Sequence, residues 1–253
     1  MSEIAEYPQG TPCWMDLWTP NRQASMDFYA AVFGWSYRVG PEERHSYTEA
    51  LLTDKTVAGI VTPPGDERTP MVWVTYLSTD DAAATRTAIT EHGGQALGGV
   101  IEVPGSGVRI VLGTDPTGGL FGAFEAPGHR GAELANEPGT QIWNELMTPD
   151  PAAARAFYGA VFGVAIGDPF PDFDYTTIKV GGRDVGGIGK AGDGVPASWH
   201  GYFAVADTDG VADLVRSNGG SLLGEPVNTP YGRMAGCVDP HGSTFYLMGP
   251  NTG

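Results

Sequence analysis

Two short patterns place a carboxylate beside an indole: Trp14-Met15-Asp16 and Trp143-Asn144-Glu145. Residues two apart on a strand share a face, so in extended chain each tryptophan lies next to its acid. Burial on such a face raises a carboxylate's pKa toward neutrality, which suits general acid–base work. The same oxygens can instead fix a hydroxyl or an amine, while the indole stacks on flat molecules. His200 supplies an imidazole that could join Glu145, as catalytic partner or as a core histidine bonded to it. The other histidines fall in less promising places: His45 in a loop, His92 before a glycine pair, His129 in a polar Gly/Pro-rich stretch and His241 in a turn. These four read as solvated. For the tryptophans, ordinary core packing stands beside the binding reading.

The elements that must hold these residues come twice. Gly10–Gly34 and Gly139–Gly163 are identical at 13 of 25 positions, at an offset of 129 residues. The shared residues include Trp14/Trp143, Phe28-Tyr29/Phe157-Tyr158 and Val32-Phe33-Gly34/Val161-Phe162-Gly163. With small gaps the echo continues through Val57-Ala58-Gly59-Ile60/Val185-Gly186-Gly187-Ile188, Gly93-Gly94/Gly219-Gly220 and Asp115-Pro116-Thr117-Gly118/Asp239-Pro240-His241-Gly242. Such self-similarity marks an internal duplication. The pattern predicts a strand over 13–18 and a helix over 21–33 closed by Gly34, with strands over 47–52 and 56–61. A second unit follows, with a strand over 72–77, a helix over 81–92 and strands over 108–112 and 120–124. The expected domains are residues 1–125 and 139–253, joined by a polar linker over 126–138. Both halves are expected to fold as one unit facing each other.

Composition narrows the partners. The chain has 253 residues, is 41% hydrophobic and carries a formal net charge of −16. That charge argues against binding nucleic acid or an anionic membrane surface, which need a basic face. Two cysteines, Cys13 and Cys237, make neither a disulfide framework nor a cysteine-based zinc site, and both read as buried. The first ten residues lack the pattern of a signal peptide, and no run of about 18 apolar residues exists, so a cytoplasmic location is expected.

A strand ending in Trp-x-Asp/Glu-Leu, a helix carrying Phe-Tyr-x-x-Val-Phe-Gly and a terminal Asp-Pro-x-Gly turn together resemble the vicinal oxygen chelate superfamily of glyoxalases, bleomycin-resistance proteins and dioxygenases. The resemblance covers nearly the whole chain, twice. It implies an α+β fold of four βαβββ modules, forming two tandem glyoxalase/bleomycin-resistance-like domains with open β-cups. Alternation then sends Trp14, Asp16 and Trp18, or Trp143, Glu145 and Met147, into the cup. Val74 and Tyr76, or His200 and Tyr202, join them. From the last strand come Leu120, Gly122 and Phe124, or Thr244, Tyr246 and Met248. The opposite faces, Cys13/Met15/Leu17 and Ile142/Asn144/Leu146, are expected under the helices.

In this family the metal ligands sit on the first, fifth and last strands of a domain. Those positions fall on Trp14, Val74 and Gly122, and on Trp143, His200 and Tyr246. Only His200 is an ordinary ligand for Zn²⁺, Fe²⁺ or Mn²⁺. No metal or other cofactor is therefore expected, and an improvised metal site would have to be built from Asp16, Glu145 and His200. With the metal gone, an aromatic cup remains. The resemblance extends to two-domain glyoxalase-like proteins of aromatic polyketide pathways, including anthracycline ones. It implies a protein, monomer or homodimer, that sequesters or presents a planar aromatic metabolite or antibiotic, with a pathway oxygenase as a protein partner. Two other readings stay open: a cofactor-independent enzyme using Glu145, His200 or Asp16 as acid–base groups, and a metal-dependent glyoxalase-like or dioxygenase-like lyase.

Overall fold

A computed structural model describes residues 6–41, 47–63, 71–103, 105–126 and 131–253. His45, His129 and residues 127–130 of the expected linker lie outside the described residues. The first module comprises β1 (Pro12–Trp18), α1 (Arg22–Phe33), β2 (Ser36–Val39), β3 (Thr48–Leu52) and β4 (Lys55–Val61). The second comprises β5 (Val72–Ser78), α2 (Ala82–Glu91), β6 (Gln95–Ala96), β7 (Ile101–Glu102), β8 (Arg109–Thr114) and β9 (Leu120–Glu125). The third runs through β10 (Gln141–Thr148), α3 (Pro151–Phe162), β11 (Ala165–Ile166), β12 (Tyr175–Val180) and β13 (Arg183–Lys190). The fourth runs through β14 (Ser198–Ala204), α4 (Thr208–Ser217), β15 (Ser221–Leu222), β16 (Val227–Thr229), β17 (Gly232–Val238) and β18 (Thr244–Gly249). These are the four expected modules, with β2, β6 and β7 added to the strands the pattern showed in the first half.

Local chemistry sets the ends of the two long helices. Asn21 and Asp150 accept from the backbone N–H of Ala24 and Ala153, and Gly34 and Gly163 stop the helices at φ 73° and 69°. Those left-handed angles suit glycine, which has no Cβ to clash.

Each half folds into one open nine-stranded sheet. The order is β2-β3-β4-β1-β5-β9-β8-β6 in the first, with β7 on β8. The second repeats it as β11-β12-β13-β10-β14-β18-β17-β15, with β16 on β17. The first strands of the two modules pair antiparallel at the centre, Trp14 opposite Tyr76 and Trp143 opposite Tyr202. Opposed residues of a pair point to the same side. The register thus carries Trp143, Tyr202 and Tyr246 across one face, with Glu145 opposite His200 beside them.

Neither half builds its helix-side core alone. Met15, Leu17, Phe28, Tyr29 and Trp73 of the first half cluster with Phe203, Phe245 and Leu247 of the second. Phe157, Tyr158, Phe162 and Trp199 of the second cluster with Leu77, Val111 and Phe121 of the first. The first module thus shares a core with the fourth, and the second with the third. The halves face each other through their helix-bearing sides, leaving the other face of each sheet turned away.

One expected face assignment fails. Pairing shifts register between Pro12 and Trp14 and between Gln141 and Trp143. A bulge of this kind turns one residue out of alternation. Cys13 joins Trp14, Tyr76 and Phe124 on the side away from the helices, and Ile142 lines an open pocket with Met248. Both leave the helix side, where Met15, Leu17 and Leu146 remain.

Candidate functional site

The face turned away from the helices carries the same side-chain cage in both halves. In the first, Trp14 Nε1 and the Tyr47 hydroxyl donate to Asp16 Oδ1 at 2.8 and 2.6 Å. In the second, the Tyr202 and Tyr175 hydroxyls donate to Glu145 Oε1 and Oε2 at 2.6 and 3.0 Å. Trp143 Nε1 donates to the Tyr175 oxygen at 3.1 Å. The glycines of the internal echo make room for this. A Cβ on Gly59 would stand 2.0 Å from Asp16 Oδ1 and the Tyr47 hydroxyl, and one on Gly187 would stand 1.9 Å from the Tyr175 hydroxyl.

Tyr47 and Tyr175 are cage members that pattern reading passed over. The echo Tyr47-Thr48/Tyr175-Thr176, set beside Gly59/Gly187, is the signal that marks them.

Since the cage is common to both halves, it is the differences that define a site. Around the first cage Trp14, Asp16 and Tyr76 are 2%, 6% and 2% exposed, and Val74 and Phe124 close over them. Trp14, Asp16 and Tyr76, expected to line a cup, are instead buried in it, while Trp18 is half-buried. In the second half Trp143, Glu145, Met147, His200, Tyr246 and Met248 are all only half-buried. Tyr246 stands where the first half has Gly122, and stacks on Tyr202 with ring centroids 4.7 Å apart. His200 stands where the first half has Val74, its ring 5.1 Å from that of Tyr246. Met147 replaces Trp18. Met248 replaces Phe124 and reaches into a pocket of about 410 Å³ lined also by Ile142, Pro230, Tyr231 and Asn251. Phe173 and Tyr231 are strongly exposed aromatics of the same half.

The expected Glu145–His200 pair does not form, although the two are cross-strand neighbours. Glu145 spends both oxygens on phenols, and the imidazole lies against Tyr246 instead. Burial pushes the His200 pKa down to about 4, with no carboxylate pulling it up. The ring is therefore neutral at neutral pH. Burial raises the Glu145 pKa, and the Tyr202 and Tyr175 hydrogen bonds act against that rise. A carboxylate already accepting two phenolic protons is a poorly placed general base. His241, expected in solvent, is half-buried, and its Nε2 has no hydrogen-bond partner among the described residues. Cys13 and Cys237 are buried free thiols, as expected.

The donors do not fit a divalent metal. Of the six ligand positions only His200 offers an ordinary ligand, and Asp16 lies on a different sheet from Glu145 and His200. Among the described residues no three His, Cys, Asp or Glu side chains converge. The improvised site is thus not assembled. The chemistry of the second cup is that of its own side chains: stacking surfaces, a neutral imidazole, and phenols held by a carboxylate.

The first cage makes a testable contribution to stability. Burial raises the Asp16 pKa against the opposing hydrogen bonds of Tyr47, Trp14 and Tyr76. A raised folded-state pKa stabilises the fold below the unfolded value of about 3.9, and that stabilisation is lost as pH rises through the folded value. Asp16→Asn keeps an oxygen to accept from Trp14 and Tyr47 but cannot ionise. Its denaturation midpoint in urea is expected to exceed the parent's at pH 8, with the gap narrowing as pH falls toward 4. A variant weaker than the parent at every pH would show that the charge itself holds the cage.

Two tandem halves, each with two helices on one sheet, built of paired βαβββ modules with a Trp–carboxylate–tyrosine cage on the outer face, define a duplicated cup protein. The chain belongs to the Glyoxalase/Bleomycin resistance protein/Dioxygenase superfamily, whose family model matches residues 13–129 and 140–247. A protein of Mycobacterium tuberculosis named as a glyoxylase, CFP32, is 39% identical over 99% of this chain and 98% of its own. The anthracycline biosynthesis protein DnrV of Streptomyces peucetius is 33% identical, covering 97% of this chain and 95% of its own. Among solved structures, the Mn(II)-bound glyoxalase from Novosphingobium aromaticivorans superposes with a TM-score of 0.68 at 17% identity, over 96% of this chain and 83% of that one. The 2,3-dioxygenase LapB from Pseudomonas sp. KL28 gives 0.66 at 14% identity, over 96% and 94%. At such identities these two likenesses concern the fold alone. No helix among the described residues is long and apolar enough to cross a membrane.

Proposed function

We propose that the second half's cup binds a planar aromatic metabolite and that the protein sequesters it or presents it to a pathway enzyme such as an oxygenase. One observation carries the reading: two equivalent cages differ in access. In the first, Trp14, Asp16 and Tyr76 are buried, while Trp143, His200, Tyr246 and the two methionines of the second leave aromatic and thioether surface open. Such surface holds flat molecules by stacking and area burial, and methionine adapts to their outline. The relationship to a protein of anthracycline biosynthesis supports a polycyclic ligand.

The test is a titration of the parent protein with anthraquinone-like compounds, followed through tryptophan fluorescence, with the ligand recovered and analysed afterwards. Saturable quenching and unchanged ligand are expected. A ligand recovered as a new product would make the protein an enzyme, and absence of quenching across the series would end the reading.

A further inference from the structure

Two polar side chains of the second cup have nothing in the protein to bond. His200 and Tyr246 are half-buried on its face, and neither the imidazole nor the hydroxyl has a hydrogen-bond partner among the described residues. Neither group is sealed from solvent, so both open into the cup. The other polar tips of the cage are taken. Trp143 Nε1 donates to Tyr175, and the Tyr175 and Tyr202 hydroxyls donate to Glu145.

The first half shows that the cage does not require this pair. Val74 and Gly122 stand at the two equivalent places, and neither side chain can hydrogen-bond. Tyr246 is accommodated by an exchange of sizes between strands. Leu112 lies opposite Gly122 in the first half, and Gly236 lies opposite Tyr246 in the second. A Cβ on Gly236 would stand 3.1 Å from Tyr246 Cε1, so glycine leaves the ring its place. That ring then packs against two others, Tyr202 at 4.7 Å and His200 at 5.1 Å. His200 is neutral at neutral pH and offers one N–H and one lone pair. The phenol likewise donates and accepts. Any molecule that fills the cup strips water from both groups, and only a hydrogen-bonding partner on that molecule offsets the loss.

Resting on the reading of this cup as a planar-ligand site, we infer that His200 and Tyr246 hold the polar edge of the ligand, while Glu145 fixes the tyrosines of the cage. The ligand class is a polycycle with a carbonyl or hydroxyl at one edge, and a hydrocarbon of the same outline is disfavoured.

The probes are 9-fluorenone and fluorene, tricycles of nearly the same outline, of which only the first carries a carbonyl. The parent is expected to bind fluorenone about fivefold more tightly. Tyr246→Phe keeps the stacked ring and removes one oxygen, and should bring the two affinities close together. Adding His200→Leu should reverse the preference in favour of fluorene, because the carbonyl then leaves water for a wall without free donors. The Tyr246 hydroxyl bonds nothing in the protein, so Tyr246→Phe should keep the parent's denaturation midpoint in urea while the affinity ratio moves. A parent that prefers fluorene, or a ratio unmoved in both variants, overturns the inference while leaving a planar-ligand site in place. If fluorenone, fluorene and anthraquinone all fail to bind, both the inference and the reading beneath it fall.

Discussion

Trp143→Ala is expected to weaken binding of an anthraquinone-like ligand by about 30- to 150-fold, which corresponds to about 2–3 kcal/mol. Stacking on a buried indole contributes about 0.5–1.5 kcal/mol beyond area burial, and truncation also removes the apolar area itself. Trp143 is half-buried with an open face, and its N–H is already spent on Tyr175, so what it offers a ligand is surface. The matching change in the first half, Trp14→Ala, touches an indole only 2% exposed. It should lower stability and leave affinity within about twofold of the parent, since the first cage lies on the other sheet from the proposed site. Isothermal titration on both variants, with circular dichroism to verify the fold, separates the outcomes. Loss of binding in Trp14→Ala with none in Trp143→Ala would place the site in the wrong half of this description. No effect from either would return both tryptophans to core packing.

Much of this arrangement is legible in the sequence because duplication prints each element twice. The modules, the glycine helix stops and the shared face of Trp143 and Glu145 all follow from period and offset. Three features do not, each for a physical reason. The bulge that moves Cys13 and Ile142 to the other side of their strands leaves no mark in composition, since alternation assumes unbroken pairing. The partner of Glu145 is settled by reach rather than adjacency: His200 is its neighbour across the strands, but the phenols of Tyr202 and Tyr175 extend to its oxygens. The closure of the first cup depends on how Tyr76, Phe124 and Val108 pack, and Gly122 is the clue in hindsight. A Cβ there would stand 2.0 Å from the Tyr76 ring, so the glycine lets tyrosine lie into the space that Tyr246 occupies in the other half.

The same duplication predicts that the halves unfold together, and that two tyrosines at equivalent positions hold them. Tyr29 donates to Asp239 Oδ2 at 3.1 Å and accepts from Trp73 Nε1 at 2.9 Å. Tyr158 repeats this with Asp115 Oδ2 at 3.0 Å and Trp199 Nε1 at 2.9 Å. Each aspartate belongs to the Asp-Pro-x-Gly turn of the other half, so both bonds cross between halves, and all six groups are buried. Removing one phenolic oxygen leaves an indole N–H without its acceptor and a carboxylate short of a donor. Loss of a hydrogen bond to a charged group costs about 1.5–3 kcal/mol. The two sites share no partner, so Tyr29→Phe with Tyr158→Phe should cost about 3–6 kcal/mol in sum. Against the usual total of about 5–15 kcal/mol for a folded protein, that is a large loss. Urea denaturation of both single variants and the double variant measures it, and calorimetry counts the transitions. A single cooperative transition is expected throughout, because each helix-side core contains residues of both halves. For the same reason residues 139–253 expressed alone should lack a cooperative melt. Two resolved transitions in the parent, or a folded isolated half, would mean that the shared cores are a contact between independent domains rather than the substance of each.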